Sequence, residues 1–343
     1  MTRSPAYLTK RRAGWVLIPL GGLVIGVGLA TLLIGSEPIS FDQIIAALWG
    51  RWTGSPSSLP EESRVILFEI RLPRVLLALG VGAALGVAGG AFQALLRNPL
   101  ADPYVLGISG GAALGSILAL MFLPGLLFGQ PLFGFLGAMV SMGVVYRLGR
   151  GQSDPAHLVL AGVIISTLLS SVIVLLTAIA DQYRWRRITL WLLGDLSSGQ
   201  PQGALLVMGV TIVSVSILWT QARALNLMMI GEEEAFAIGV ETRRVRWIVF
   251  VVASLLTAAA VSVGGAIGYV GLVVPHLIRL ATGSDNRLVL PASALGGALL
   301  VLLADGLART LVAPRELPTG AITALIGAPT FLFLLLRSRH LRR

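Results

Sequence analysis

Apolar residues run in long blocks along this chain, separated by short polar stretches rich in glycine, proline and arginine. Crossing a hydrocarbon core of about 30 Å takes roughly 20 helical residues. Ten blocks meet or approach that length, near 15–35, 72–96, 104–122, 132–148, 158–179, 203–221, 245–262, 263–281, 290–312 and 319–336. The stretch from 245 to 281 is apolar throughout and is divided at the Gly264-Gly265 pair. The pattern predicts an all-α, polytopic membrane protein with ten transmembrane helices in a single domain, 1–343. A cytoplasmic segment 1–14 precedes spans over about 15–336, the longest cytoplasmic loop covers 222–244, and 337–343 is a cytoplasmic tail. The first block follows Lys10-Arg11-Arg12 and lacks a small-residue cleavage site, so it reads as a retained span, not a signal peptide.

The polar stretches add detail. Pro38, Pro56, Pro60 and Gly54-Ser55 break the pattern in 36–71, where an amphipathic helix over Phe41–Trp49 is expected on the membrane surface. In 181–201, Tyr183, Trp185 and Trp191 alternate with Arg184, Arg186 and Arg187, a mixture that anchors a membrane interface. Glycines four residues apart (Gly22/Gly26, Gly82/Gly86/Gly90, Gly111/Gly115, Gly264/Gly268) let helices approach closely in lipid, where packing drives association. A weak internal echo links 97–111 with 279–297.

Composition sharpens this picture. Hydrophobic residues make up 55% of the chain and charged residues 12%, about half the charge fraction of a soluble domain. The net charge of +10 does not form a nucleic-acid patch, because the basic residues sit at span ends. Segments 1–14, 97–102, 147–157, 222–246, 279–287 and 337–343 hold 17 Lys/Arg and the opposite side nine. That bias places both termini in the cytoplasm, in the inner membrane, with the lipid bilayer as a partner and no nucleic acid.

Absences bound the chemistry. Without cysteine there is no thiolate nucleophile or zinc-thiolate site. His157, His276 and His340 lack ligand spacing, so neither a metal site nor a cofactor is predicted. Lys10 is the only lysine and Arg11 follows it, so no Walker motif exists. Any ATP hydrolysis belongs to another subunit. No acid falls near the middle of a span; Asp305 and Glu69 lie toward outer ends, which disfavours a proton- or sodium-coupled carrier.

Three features carry candidate function. Arg71-Leu72-Pro73-Arg74 opens the second span at the outer face, and Arg309 reaches the same face near Glu316-Leu317-Pro318. Guanidinium forks there suit carboxylates on a soluble partner, while snorkelling to headgroups is the plainer reading. On the inner face Gly231, Glu232, Glu233 and Glu234 open a short helix through Ala235 and Phe236 that Gly239 ends, with acids where the macrodipole favours them. Gly107-Ile108-Ser109-Gly110-Gly111 fits G-x-S-x-G. A serine nucleophile needs a base within reach, and the scattered histidines supply none, so no catalytic residue is assigned and an intramembrane serine hydrolase stands as the alternative.

From Arg71 to Arg337 the sequence resembles the iron-chelate, cobalamin and haem uptake permeases of type II ABC importers. The resemblance rests on ordered motifs: RLPR (71–74), GAALGVAGGAFQALLRNPLADPYVLGISGGA (82–112), LVLAGV (158–163), LGDLSSG (193–199), LNLMMIGEEEAFAIGV (225–240), GAIGYVGLVVPHLIRL (265–280), LADGLART (303–310) and ELPTGAITALIGAPTFLFLLL (316–336). It implies ten spans per subunit, a second permease copy, two cytoplasmic ABC ATPase subunits and an external substrate-binding protein. It implies that Arg71, Arg74 and Arg309 meet the binding protein's glutamates and that Gly231–Val240 docks on the ATPase. A cytoplasmic gate is implied at Ser153, Asp154, Pro155 and Ala156, though the family's hydroxyl-rich gate is not reproduced there. Ser166 and Ser170, with Thr167 and Ser171, are expected to line the pathway. Ferric siderophore heads the implied substrates, ahead of cobalamin and haem.

Overall fold

The computed structural model describes residues 10–34, 39–53, 60–126, 128–149, 156–197 and 199–340. Fifteen α-helices account for nearly all of them: α1 (Lys10–Leu33), α2 (Phe41–Thr53), α3 (Glu61–Val65), α4 (Leu72–Leu95), α5 (Ile108–Phe122), α6 (Gly129–Gly149), α7 (Ala156–Ala178) and α8 (Gln182–Leu192). There follow α9 (Pro201–Thr220), α10 (Ala222–Ile230), α11 (Glu232–Ala237), α12 (Thr242–Gly264), α13 (Val270–Thr282), α14 (Asn286–Thr310) and α15 (Thr319–His340). No strand occurs among the described residues. Each of the ten apolar blocks holds a helix. Among the described residues seven are long and apolar enough to cross a membrane, while α5 and α13 are shorter, and α15 contributes the apolar stretch Thr319–Leu334.

The short ones have local causes. At 1.5 Å per residue, the 13 residues of α13 reach only about 20 Å. Its block breaks where the sequence divides it: α12 ends at Gly264, Gly265 turns to φ +70°, Tyr269 takes φ +67°, and α13 starts at Val270. Gly265 permits this left-handed turn, and a side chain there would strike the Trp191 carbonyl. The backbones of 191–194, 265–266 and Gly320 meet at this junction, where the Gly320 N–H donates to the Gly194 carbonyl at 3.1 Å and the Ala266 N–H to Trp191 at 3.3 Å. α5 is shortened by an irregular lead-in over 97–107. Asp102 caps a 3-10 turn, Pro103–Leu106, through the Tyr104 N–H at 2.8 Å, and Pro103 packs against Gly271 of α13.

At the outer end, α3 runs through a π-helical turn, Ile66–Arg71, directly into α4. Pro73 lacks an N–H and crowds the carbonyl four residues back; the wider π turn accommodates that misfit without breaking the helix. Thus 61–71 extends the second span instead of forming loop. α2 is the expected amphipathic helix, with Ile44 and Ala47 buried and Phe41, Ile45, Trp49 and Trp52 exposed. The 181–201 stretch is also helical. Asp181 caps α8, Tyr183 and Trp185 are exposed, but Trp191 is buried and so is no interface anchor.

The core is built from α4, α12 and α14, whose apolar windows are 83%, 67% and 61% buried, against 17% for α7. Glycine sets their approach: Gly82 faces Gly297, Gly86 faces Ser293, and Gly111 and Gly115 of α5 meet Gly137 and Phe133 of α6. The other two pairs differ. Gly22 and Gly26 have nothing within 4 Å, and Gly264 and Gly268 share no helix face because the helix stops between them.

Candidate functional site

The three outer arginines point inward. The π turn and the start of α4 bury Arg71 and Arg74 at 4% and 5% exposure. Arg74 Nε donates to Asp305 Oδ1 at 2.9 Å, and its Nη1 to Glu316 Oε2 at 2.7 Å. Arg309, one turn after Asp305 on α14, lies 3.2 Å from Asp305 Oδ2 through Nε, an ionic contact whose N–H is not aimed for a hydrogen bond. Thr319 Oγ1 donates to Asp305 Oδ1 at 3.2 Å.

The same arginines finish α1. The last carbonyls of a helix lack intrahelical partners and carry the negative end of its dipole. Arg71 Nη1 donates to Leu32 O at 2.9 Å, and Arg309 donates to Thr31 O at 3.1 Å and Ile34 O at 3.3 Å. The cluster therefore ties α1, α4, α14 and the start of α15 together. The expectation of guanidinium forks held out to a partner is corrected for this conformation: each of the three donates to acceptors inside the subunit. Glu316, whose side chain is 45% exposed, is the member that reaches the surface.

At the opposite end α11 is a knob. Gly231 is extended (φ −177°), Gly239 closes the turn at φ +91°, and the buried Ala235 together with the Glu232–Arg246 ion pair fixes the helix on α12. Glu233, Glu234, Phe236 (70% exposed) and Ile238 (66%) face outward. A cleft of about 600 Å³ opens beside it, lined by Tyr146, Phe236, Glu241, Thr242, Arg243, Arg244 and Trp247. Sequence reasoning found α11 and missed α10 before it, although Leu225 and Met228, both buried, have the spacing of an amphipathic helix.

α10 rests on the N-terminus of α14 through polar side chains that sequence reasoning did not single out. Asn226 Nδ2 donates to Asp285 Oδ1 at 2.8 Å, and Asn226 Oδ1 accepts from Asn286. Burial pushes the Asp285 carboxyl up, but hydrogen bonds from Arg287 and Asn226 outweigh it and hold it below the usual carboxylate range.

The remaining candidates separate. On α7, Ser170 is exposed, whereas Ser166, one turn earlier, has its hydroxyl shut in without a hydrogen-bond partner, beside Gly110 of α5. Thr167 and Ser171 donate to carbonyls of their own helix at 2.9 and 3.0 Å. Ser153, Asp154 and Pro155 lie outside the described residues, and Ala156 opens α7. Ser109 lies in the first turn of α5, a helix without the strand that a nucleophile elbow needs.

Fold and sites together define a multi-span helical permease with a buried ion cluster at one end and a short helical knob at the other. Residues 23–337 match the model of the FecCD transport family, and the chain belongs to that family. It is 44% identical over 336 residues to a hemin transport system permease protein of Yersinia pestis, with 96% of each chain covered. It is 41% identical to a cobalamin import system permease protein of Halobacterium salinarum, over 83% of this chain and 76% of that one. A solved metal-chelate type ABC transporter in an inward-facing conformation superposes with a TM-score of 0.83 at 32% identity, covering 94% and 99% of the two chains. The protein is thus the permease component of an ABC transporter and not itself an enzyme, the ATPase being a separate subunit.

Proposed function

We propose that this chain carries a bulky metal chelate (a ferric siderophore, cobalamin or haem) from an external binding protein to the cytoplasm by alternating access, driven by two ATPase subunits. The observation that carries the reading is the α11 knob, an exposed aromatic on a helix pinned from behind. A rigid anchor beside a cleft lined by aromatic and charged side chains is what a force-transmitting interface needs. In this reading both termini are cytoplasmic, the cluster at Arg71, Arg74 and Arg309 sets the outer rim on which the binding protein sits, and Glu316 meets it first. A second copy packs against α7, the least buried long span, and Ser170 contributes to the pathway between the two. The cargo class follows relatives named for hemin and cobalamin. A mildly polar wall without fixed charge suits a ligand that must not be held on the way through.

Phe236→Asp tests it. A buried carboxylate in place of an aromatic anchor is expected to remove the ATPase subunits from the purified complex and lower ATP-driven chelate import at least about tenfold, as for a hot-spot residue of about 2 kcal/mol or more. Undiminished ATPase retention and import would rule out α11 as the docking element.

A further inference from the structure

The coupling helices need a way to pass their displacement into the bundle, and the short contact between α11 and α12 is not the only link. Asn226 of α10 uses both ends of its amide. Its Nδ2 donates to Asp285 Oδ1 at 2.8 Å, and its Oδ1 accepts from both the backbone N–H and the side-chain Nδ2 of Asn286, each at 2.8 Å. Asn286 is fully buried. Its Oδ1 accepts from Arg279 Nη2 at 2.9 Å, and the same nitrogen donates to the Gly90 carbonyl of α4 at 3.1 Å. One connected path of hydrogen bonds therefore runs from α10 through the start of α14 and the last turns of α13 to α4.

Two physical points give this path its meaning. Asn286, the buried centre of the path, is held to one geometry, because any shift leaves its donor or acceptor unpaired away from water, while Asn226, Asp285 and Arg279 are half-buried around it. Beyond it, α4 and α14 lie backbone to backbone at Gly82/Gly297 and Gly86/Ser293, so they cannot slide independently. Resting on the reading of α10 and α11 as the ATPase-coupling element, we propose that Asn226, Asp285, Asn286 and Arg279 form a rigid joint that delivers coupling-helix movement to α4 and α14 as one body. These are positioning residues, remote from any cargo.

The test uses the complete transporter, with ATPase and binding protein, in proteoliposomes. Asn226→Ala and Asn286→Ala are expected to keep ATP hydrolysis while chelate imported per ATP falls about tenfold, a coupling effect of the usual size. Parallel loss of hydrolysis and import, or an unchanged ratio, overturns the joint. Should Asn286→Ala fail to fold, Asn286→Asp serves instead, since it keeps the acceptor for Arg279 and replaces the Nδ2 donor to Asn226 and Met229 with an acceptor oxygen. The chain has no cysteine, so Asn226→Cys with Asp285→Cys introduces its only thiols. The reduced pair is expected to be uncoupled, and cross-linking to restore import per ATP to within about threefold of wild type, because a joint that moves as one body tolerates being locked. Cross-linking that leaves import blocked contradicts it. Loss of ATP-driven import in the wild-type complex would take down the functional reading and the joint together. Wild-type import with fully coupled joint variants would remove the joint alone.

Discussion

Asp305→Ala is expected to destabilise the folded protein by about 3–5 kcal/mol, the cost of removing one partner from a buried ion cluster. Asp305 is 1% exposed and lies 2.9 Å from Arg74 and 3.2 Å from Arg309. Its removal leaves Arg74 with Glu316 alone and Arg309 with the carbonyls at the end of α1. Two buried guanidinium groups would then share one half-exposed carboxylate, Glu316. Glu316→Gln is expected to cost only about 0–1 kcal/mol, since a partly exposed pair gains little over water. Denaturation midpoints of the detergent-solubilised protein measure both. The loss at Asp305 should also shrink when Arg309 is replaced by leucine, because coupled residues are not additive. Equal midpoints for Asp305→Ala and wild type would contradict the cluster's structural role.

Gly89→Val is expected to prevent assembly of the bundle. A β-carbon at Gly89 would land on the carbonyl of Gly271, backbone against backbone, where α4 crosses the start of α13. No rotamer relieves such a clash, so the helices must separate, and the cost is expected to reach about 3 kcal/mol or more, the upper end for overpacking. Gly22→Val is the matched control, because nothing lies within 4 Å of that site. Monodispersity and yield of the solubilised protein distinguish the two. A Gly89→Val protein as well behaved as the Gly22→Val protein would mean that α4 and α13 do not pack as described.

These two sites show what a linear reading conveys. The helices were legible because a span must satisfy its backbone internally and face lipid, which leaves long apolar blocks; Gly264-Gly265 marked the break between α12 and α13. The shortness of α13 was not legible, since the unwound 265–269 is as apolar as its neighbours and is held open by contacts from Trp191, Gly194 and Gly320. The four-residue glycine spacing identified the α4–α14 and α5–α6 contacts but fitted α1 equally well, because spacing does not say which face meets a helix. The arginines at 71, 74 and 309 were found by position, and their inward hydrogen bonds were not anticipated. Asp305, four residues before Arg309, was the available signal for an inward ion pair, whereas the carbonyls of Thr31, Leu32 and Ile34 that absorb the other donors are invisible in side-chain identity. Asn226, Asp285 and Asn286 gave no signal, because a polar residue within a short helix and two at a helix start are ordinary until the fold brings 226 against 285–286.

The most direct measurement is chelate accumulation in proteoliposomes that hold this chain, its ATPase and its binding protein on opposite sides of the bilayer. Accumulation is expected only with ATP on the ATPase side and loaded binding protein on the other, and none with a proton gradient alone. Uptake driven by a proton gradient in vesicles containing this chain without an ATPase would contradict the assignment.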